Sequence, residues 1–138
     1  MDAQDEVSYR VNLAEGFLAE AREDNQLRRW RSCVDNSQLA VENAAKAALA
    51  LIGPVGQTHD PGKLLRKALA ENLFRPPIRK QVSQLAEYAQ TLGPDIHIQS
   101  DYGKQESGLT PWQIFGEEDA KKALALAEDA VHLANEII

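Results

Sequence analysis

Apolar positions recur at helical spacing along most of the chain. Across residues 5–24, Val7, Val11, Ala14, Leu18 and Ala21 alternate steps of four and three, which predicts an amphipathic helix. From 27 to 52, Leu27, Trp30, Val34, Ser37, Val41, Ala44, Ala48 and Ile52 keep the same steps, and Cys33, Ala40 and Ala47 widen the face. That pattern predicts a long, largely buried helix. Gly53-Pro54 ends it, because glycine takes the left-handed closing conformation and proline cannot continue the hydrogen-bond ladder.

After a loop at 55–59, Asp60-Pro61 reads as an N-cap followed by proline at the first helical position. A short helix with Leu65, Leu69 and Leu73 on its apolar edge should follow, until Arg75-Pro76-Pro77 breaks it. Ile78, Val82, Leu85, Ala89 and Leu92 mark a fourth helix that stops at Gly93-Pro94. Residues 95–116 show no sustained period. Their Tyr102, Trp112 and Phe115 predict a connection partly packed on its own aromatics. The last helix, from 117 to 138, aligns Ala120, Ala123, Leu124, Ala127, Ala130, Val131, Ala134 and Ile137, with Glu117, Glu118 and Asp119 at the positive end of its dipole. The expected fold is all-α: one domain over 1–138, an up-and-down bundle of about five helices, four long and one short.

Composition agrees. Alanine and leucine supply 36 residues against 17 for valine, isoleucine and threonine, so the stronger helix formers dominate. The 43% hydrophobic and 26% charged content is that of a soluble globular protein and excludes disorder over most of the length. No apolar run reaches the roughly 18 residues of a membrane span. The opening Met1-Asp2-Ala3-Gln4-Asp5-Glu6 is acidic where a signal peptide is basic, so a cytoplasmic protein is expected. Cys33 is the single cysteine, which excludes an internal disulfide and any CxxC site; its place on an apolar face predicts a buried, inert thiol.

Charge is unevenly spread. The net charge is −6, yet residues 63–80 carry Lys63, Arg66, Lys67, Arg75, Arg79 and Lys80 against Glu71 alone, a local +5 that leaves −11 elsewhere. A second basic knot is Arg22, Arg28, Arg29 and Arg31. Such segments either hold phosphates or form a solvated surface paired with acids across the bundle. The pair His59-Asp60 lies at a helix mouth, where backbone N–H groups receive either an anion or a capping side chain. Glu128, His132 and Glu136 share one helical face, and a surface pairing fits them better than a metal site. No GxxxxGK[ST] loop and no GxGxxG turn is present, so the usual nucleotide cradles are excluded.

Several segments together resemble a known family. Trp30-x-x-Cys33, the run Ser37-Gln38-Leu39-Ala40-Val41-Glu42-Asn43-Ala44-Ala45-Lys46-Ala47 and then Thr58-His59-Asp60 resemble the central helix and following loop of HEPN (higher eukaryotes and prokaryotes nucleotide-binding) domains. Asp101-Tyr102-Gly103, Pro111, Phe115 and Glu118-Asp119-Ala120 resemble that family's closing segment. The resemblance implies a helical bundle that forms a homodimer. It also implies a minimal nucleotidyltransferase as partner in a toxin–antitoxin type pair, and a nucleotide or RNA as ligand. No cofactor and no metal site is expected. Many members are metal-independent ribonucleases with an arginine five to seven residues ahead of a histidine. None of His59, His97 or His132 has such an arginine, and Asp101 stands where many relatives carry arginine before the tyrosine. The expectation is therefore a binding and assembly module without catalytic residues, the alternative being a ribonuclease with a displaced catalytic set. Gln38, Glu42 and Lys46, four apart on one strip, are expected to form a polar layer of the dimer groove or a ligand floor, or simply a Glu42–Lys46 pair one turn apart. With His59, Lys63, Arg66, Lys67 and Tyr102 they complete the candidate ligand-binding residues.

Overall fold

A computed structural model describes residues 2–138. Seven α-helices follow one another: α1 (Ala3–Gln26), α2 (Trp30–Ala50), α3 (Pro61–Ala70), α4 (Arg79–Thr91), α5 (Pro94–Tyr102), α6 (Pro111–Ile114) and α7 (Glu117–Ile137). Two 3₁₀ turns, Pro76–Ile78 and Gln105–Ser107, precede α4 and α6. There is no strand among the described residues; a single pair of residues, Lys104 and Leu109, forms an isolated antiparallel bridge. The all-α bundle is as the periodicity predicts, and no described helix is long and apolar enough to cross a membrane.

α2 is the axis of the bundle. It packs against α1, α7, α4, α3 and α5, and its residues from 40 to 50 are buried without interruption. The reason lies in its composition: Ala40, Ala44, Ala45, Ala47 and Ala48 are small enough for neighbours to close in from several sides. Leu65, Phe74, Val82, Leu85 and Val131 fill the space between those neighbours. The long apolar row of α2 is therefore covered within one chain over most of its length. The row is also shorter than the period implied. Leu27 lies in the α1–α2 turn, where Arg28 takes a left-handed φ of 58°, and Leu27 and Ile52 are both exposed.

The ends of the helices follow their capping signals. Asp2 accepts the Asp5 N–H at 2.8 Å and opens α1. Asp60 caps α3, with Pro61 at the first position. Tyr88 of α4 donates its hydroxyl to Asp129 of α7, which pushes the phenol up to about 12. Arg22 of α1 forks onto Glu128 of α7 and draws that carboxyl below its ordinary range. Both side chains of that pair are well exposed, so it contributes no more than about 1 kcal/mol.

The segment 95–116 corrects the expectation of an irregular connection. Pro94 starts α5 and Gly103 ends it, yet α5 has no apolar stripe and only Ser100 is buried. Arg31 and Asp35 of α2 hold it through hydrogen bonds with Ser100, and Ile96 is its one side chain packed against the hydrophobic core, so no hydrophobic period announces it. Beyond Gly103, Lys104 and Leu109 exchange backbone hydrogen bonds at 2.9 and 3.1 Å and fold the chain back toward α6.

Candidate ligand-binding site

A polar strip runs the length of α2 beside its apolar faces: Arg31, Asp35, Gln38, Glu42 and Lys46, spaced by four, three, four and four. Gln38, Glu42 and Lys46 are 1%, 5% and 7% exposed, so their polar groups must find partners inside the protein. Glu42 supplies them. It accepts from the Lys46 ammonium at 3.2 Å and from the Gln38 amide at 3.4 Å, and its Oε1 lies 3.8 Å from His59 Nδ1. His59 comes from the loop before α3 and keeps most of its ring in solvent.

From His59 the row continues onto α5. The His59 ring stacks on that of His97, centroids 5.7 Å apart and planes within 10°. His97 Nε2 lies 3.9 Å from Asp101, and Asp101 lies 3.6 Å from Arg31. Arg31 donates to the Ser100 carbonyl at 2.9 Å, approaches Asp35 at 3.8 Å and lies over the face of Trp112. The buried Ser100 hydroxyl donates to Asp35 at 2.9 Å. Burial pushes the Asp35 carboxyl above its ordinary range, although that donation pulls the other way.

The row contains two cations, Arg31 and Lys46, and three carboxylates, Asp35, Glu42 and Asp101. Each cation already faces a carboxylate, and one carboxylate is left over, so the row has no cation to spare for an anion. Arg31 Nε, Gln38 Oε1 and His97 Nδ1 are buried without a hydrogen-bond partner and are the row's unused polar atoms. Asp35, His97 and Asp101 bring one potential metal-ligating atom each to within 4.8 Å of one another. The Arg31 guanidinium, next to both carboxylates, supplies positive charge where a metal ion would.

The remaining candidates lie elsewhere. Lys63, Arg66 and Lys67 are on the outer surface of α3, which packs against α4. Arg66 donates to two neutral groups, Gln90 and Ser83 of α4. None of the six cations of 63–80 forms an ion pair among the described residues. The reading of that segment as a surface paired with acids across the bundle is thereby corrected. Asp60 takes the Lys63 N–H itself, so the mouth of α3 is closed by a carboxylate while His59 turns toward α2. Tyr102, 78% exposed, borders a shallow depression of about 510 Å³ with Asp95 and Lys104. The eight candidates thus fall into a buried row, a cationic face and a lone aromatic.

Two other expectations can be placed. His132 pairs with Glu136 at 2.7 Å while Glu128 is held by Arg22, a surface arrangement. Cys33 is fully buried, its thiol facing the Ala120 carbonyl, and burial pushes the thiol up. Sequence reasoning missed Asp35, His97 and Ser100 as parts of the row. The signal for Asp35 was present, since Arg31 and Asp35 continue the spacing of Gln38, Glu42 and Lys46 by two more turns. His97 and Ser100 had no signal, because α5 lacks a period.

The fold is a helical bundle with a buried polar strip on its central helix and a separate cationic face. The HEPN domain profile matches residues 7–137, and the chain belongs to that family. No curated relative matches the sequence. Among solved structures, TT1696 from Thermus thermophilus superposes with a TM-score of 0.70 at 17% identity, covering 96% of this chain and 98% of that one. At that identity the similarity concerns the fold.

Proposed function

We propose that this chain is a non-cleaving HEPN module that binds nucleotides or RNA through the cations of α3 and the start of α4. It acts in the cytoplasm as a homodimer and as the partner of a minimal nucleotidyltransferase in a toxin–antitoxin type pair. One observation carries the reading: the cations next to the two stacked histidines are committed to carboxylates, whereas those of 63–80 are not. A phosphate gains most where positive charge has no internal partner. General acid–base cleavage, in contrast, needs a cation beside the histidine that exchanges the proton.

The stacked pair His59 and His97 favours a second reading, a ribonuclease in which two neighbouring imidazoles serve as acid and base. One experiment separates the two. Labelled single-stranded RNA incubated with the protein in EDTA is expected to be bound and to stay intact. Binding should weaken about tenfold or more in Arg66→Glu/Lys67→Glu at low salt. Cleavage that disappears in His59→Ala would overturn the binding reading and establish the ribonuclease.

Dimerisation is tested on its own. Light scattering at tens of micromolar protein should return twice the 15.2 kDa of one chain. A mass of one chain contradicts it.

A further inference from the structure

One end of the bundle is less well covered than the rest. Two adjoining cavities of about 260 and 250 Å³ lie there, both lined by Ile52 and Leu73. The first extends over Leu64 toward Lys67, the second over Leu51 and Ile138 toward Arg75. Leu51, Ile52, Leu64, Leu73 and Ile138 are each between 36% and 56% exposed and form an apolar groove, whereas the other exposed aliphatic side chains, Leu27, Ile98 and Leu109, line none of this groove.

The backbone holds this groove open. α3 ends in a Schellman motif, with Asn72 in the left-handed region at φ 56°, the Asn72 N–H on Leu69 O at 3.1 Å and the Leu73 N–H on Ala68 O at 3.0 Å. In such a motif the residue in the position of Leu73 commonly packs back on its own helix. Here Leu73 stays 52% exposed while the next residue, Phe74, is anchored in the core at 2%. The exposed leucine is a fixed feature of a well-anchored turn.

We propose that this groove is the docking site for an acidic protein segment bearing aliphatic anchors. Charge selects the occupant. Lys67 and Arg75 line the groove and neither has an internal ion pair among the described residues; Glu71 is the single side-chain carboxylate in the linings. A second copy docked across a two-fold axis would set these cations against their own equivalents, which costs free energy. A nucleic acid satisfies the cations but brings no aliphatic groups to fill an apolar groove. An amphipathic helix with leucines three and four apart and glutamates beside them satisfies both. The inference rests on the reading that the α3–α4 face receives anions, and it adds the apolar half of the contact.

The test uses the full-length chain and a helical peptide of glutamates with leucines at every third and fourth position, followed by amide NMR shifts and anisotropy. Shifts should centre on Ile52, Leu73 and Ile138. Affinity should fall roughly tenfold in Leu73→Ser and again in Lys67→Glu/Arg75→Glu, and vanish when the peptide's leucines become serines. Leu73→Ser should leave RNA binding unchanged, so that loss of peptide binding alone is distinguishable from failure of the anion-binding reading. No peptide binding, binding indifferent to Leu73→Ser, or a dimer that Leu73→Ser dissociates would each overturn the proposal.

Discussion

Glu42→Ala is expected to destabilise the protein by about 3–5 kcal/mol, because it leaves a buried ammonium without its counter-charge. The Lys46 side chain is 8% exposed and its Nζ faces Glu42 at 3.2 Å, so truncating the acid strands the cation inside the bundle. The Gln38 amide loses its acceptor in the same step. Replacing the pair as a whole has a different outcome. In Glu42→Leu/Lys46→Met no charge is left to desolvate, and most of the lost stability should return. Chemical denaturation of both variants checks this: a single substitution costing under 1 kcal/mol would mean that water reaches the pair.

Gly103→Ala should be nearly as damaging. Gly103 has φ 74° and ψ −158°, a region open almost only to glycine, and a side chain held there costs roughly 1–3 kcal/mol. An added Cβ would also lie 2.2 Å from the Leu109 carbonyl oxygen, a backbone atom that the Lys104–Leu109 bridge holds in place. Together these effects predict a loss of about 3 kcal/mol, or roughly 10 °C in the thermal midpoint. The damage should begin locally, as faster amide exchange over residues 103–110 and weaker docking of α5 against Arg31. Uniform protection across that segment in the variant would contradict the assigned strain.

Where helices are amphipathic, the sequence was a sufficient guide to them. α1, α4 and α7 begin and end within a few residues of the positions their periods and caps predict, because each buries a stripe against α2 or its neighbours; α3 starts at its predicted cap but closes at Ala70, leaving Leu73 off its apolar edge and exposed. α2 was read as a helix with one broad face. Its alanines conceal a rod enclosed on several sides, and a small residue carries no mark of which neighbour covers it. α5 escaped for the opposite reason: Arg31, Asp35 and Ser100 attach it through hydrogen bonds and charge, interactions that leave no period. The candidate site was legible in part. Gln38, Glu42, Lys46 and His59 do meet. The stack of His59 on His97 joins residues 38 positions apart in the chain, and only the fold brings them together.

The division between a row whose cations are all paired and a free cationic face is tested most directly by the salt dependence of RNA binding. For a single-stranded RNA the logarithm of affinity falls against the logarithm of salt with a slope of about −0.7 per phosphate contact. The free cations of 63–80 predict a steep slope for the unaltered chain, and one shallower by about 1.4 for Arg66→Glu/Lys67→Glu, which removes two such contacts. Absent binding, affinity insensitive to salt, or a slope that the double charge reversal leaves unchanged would contradict the assignment.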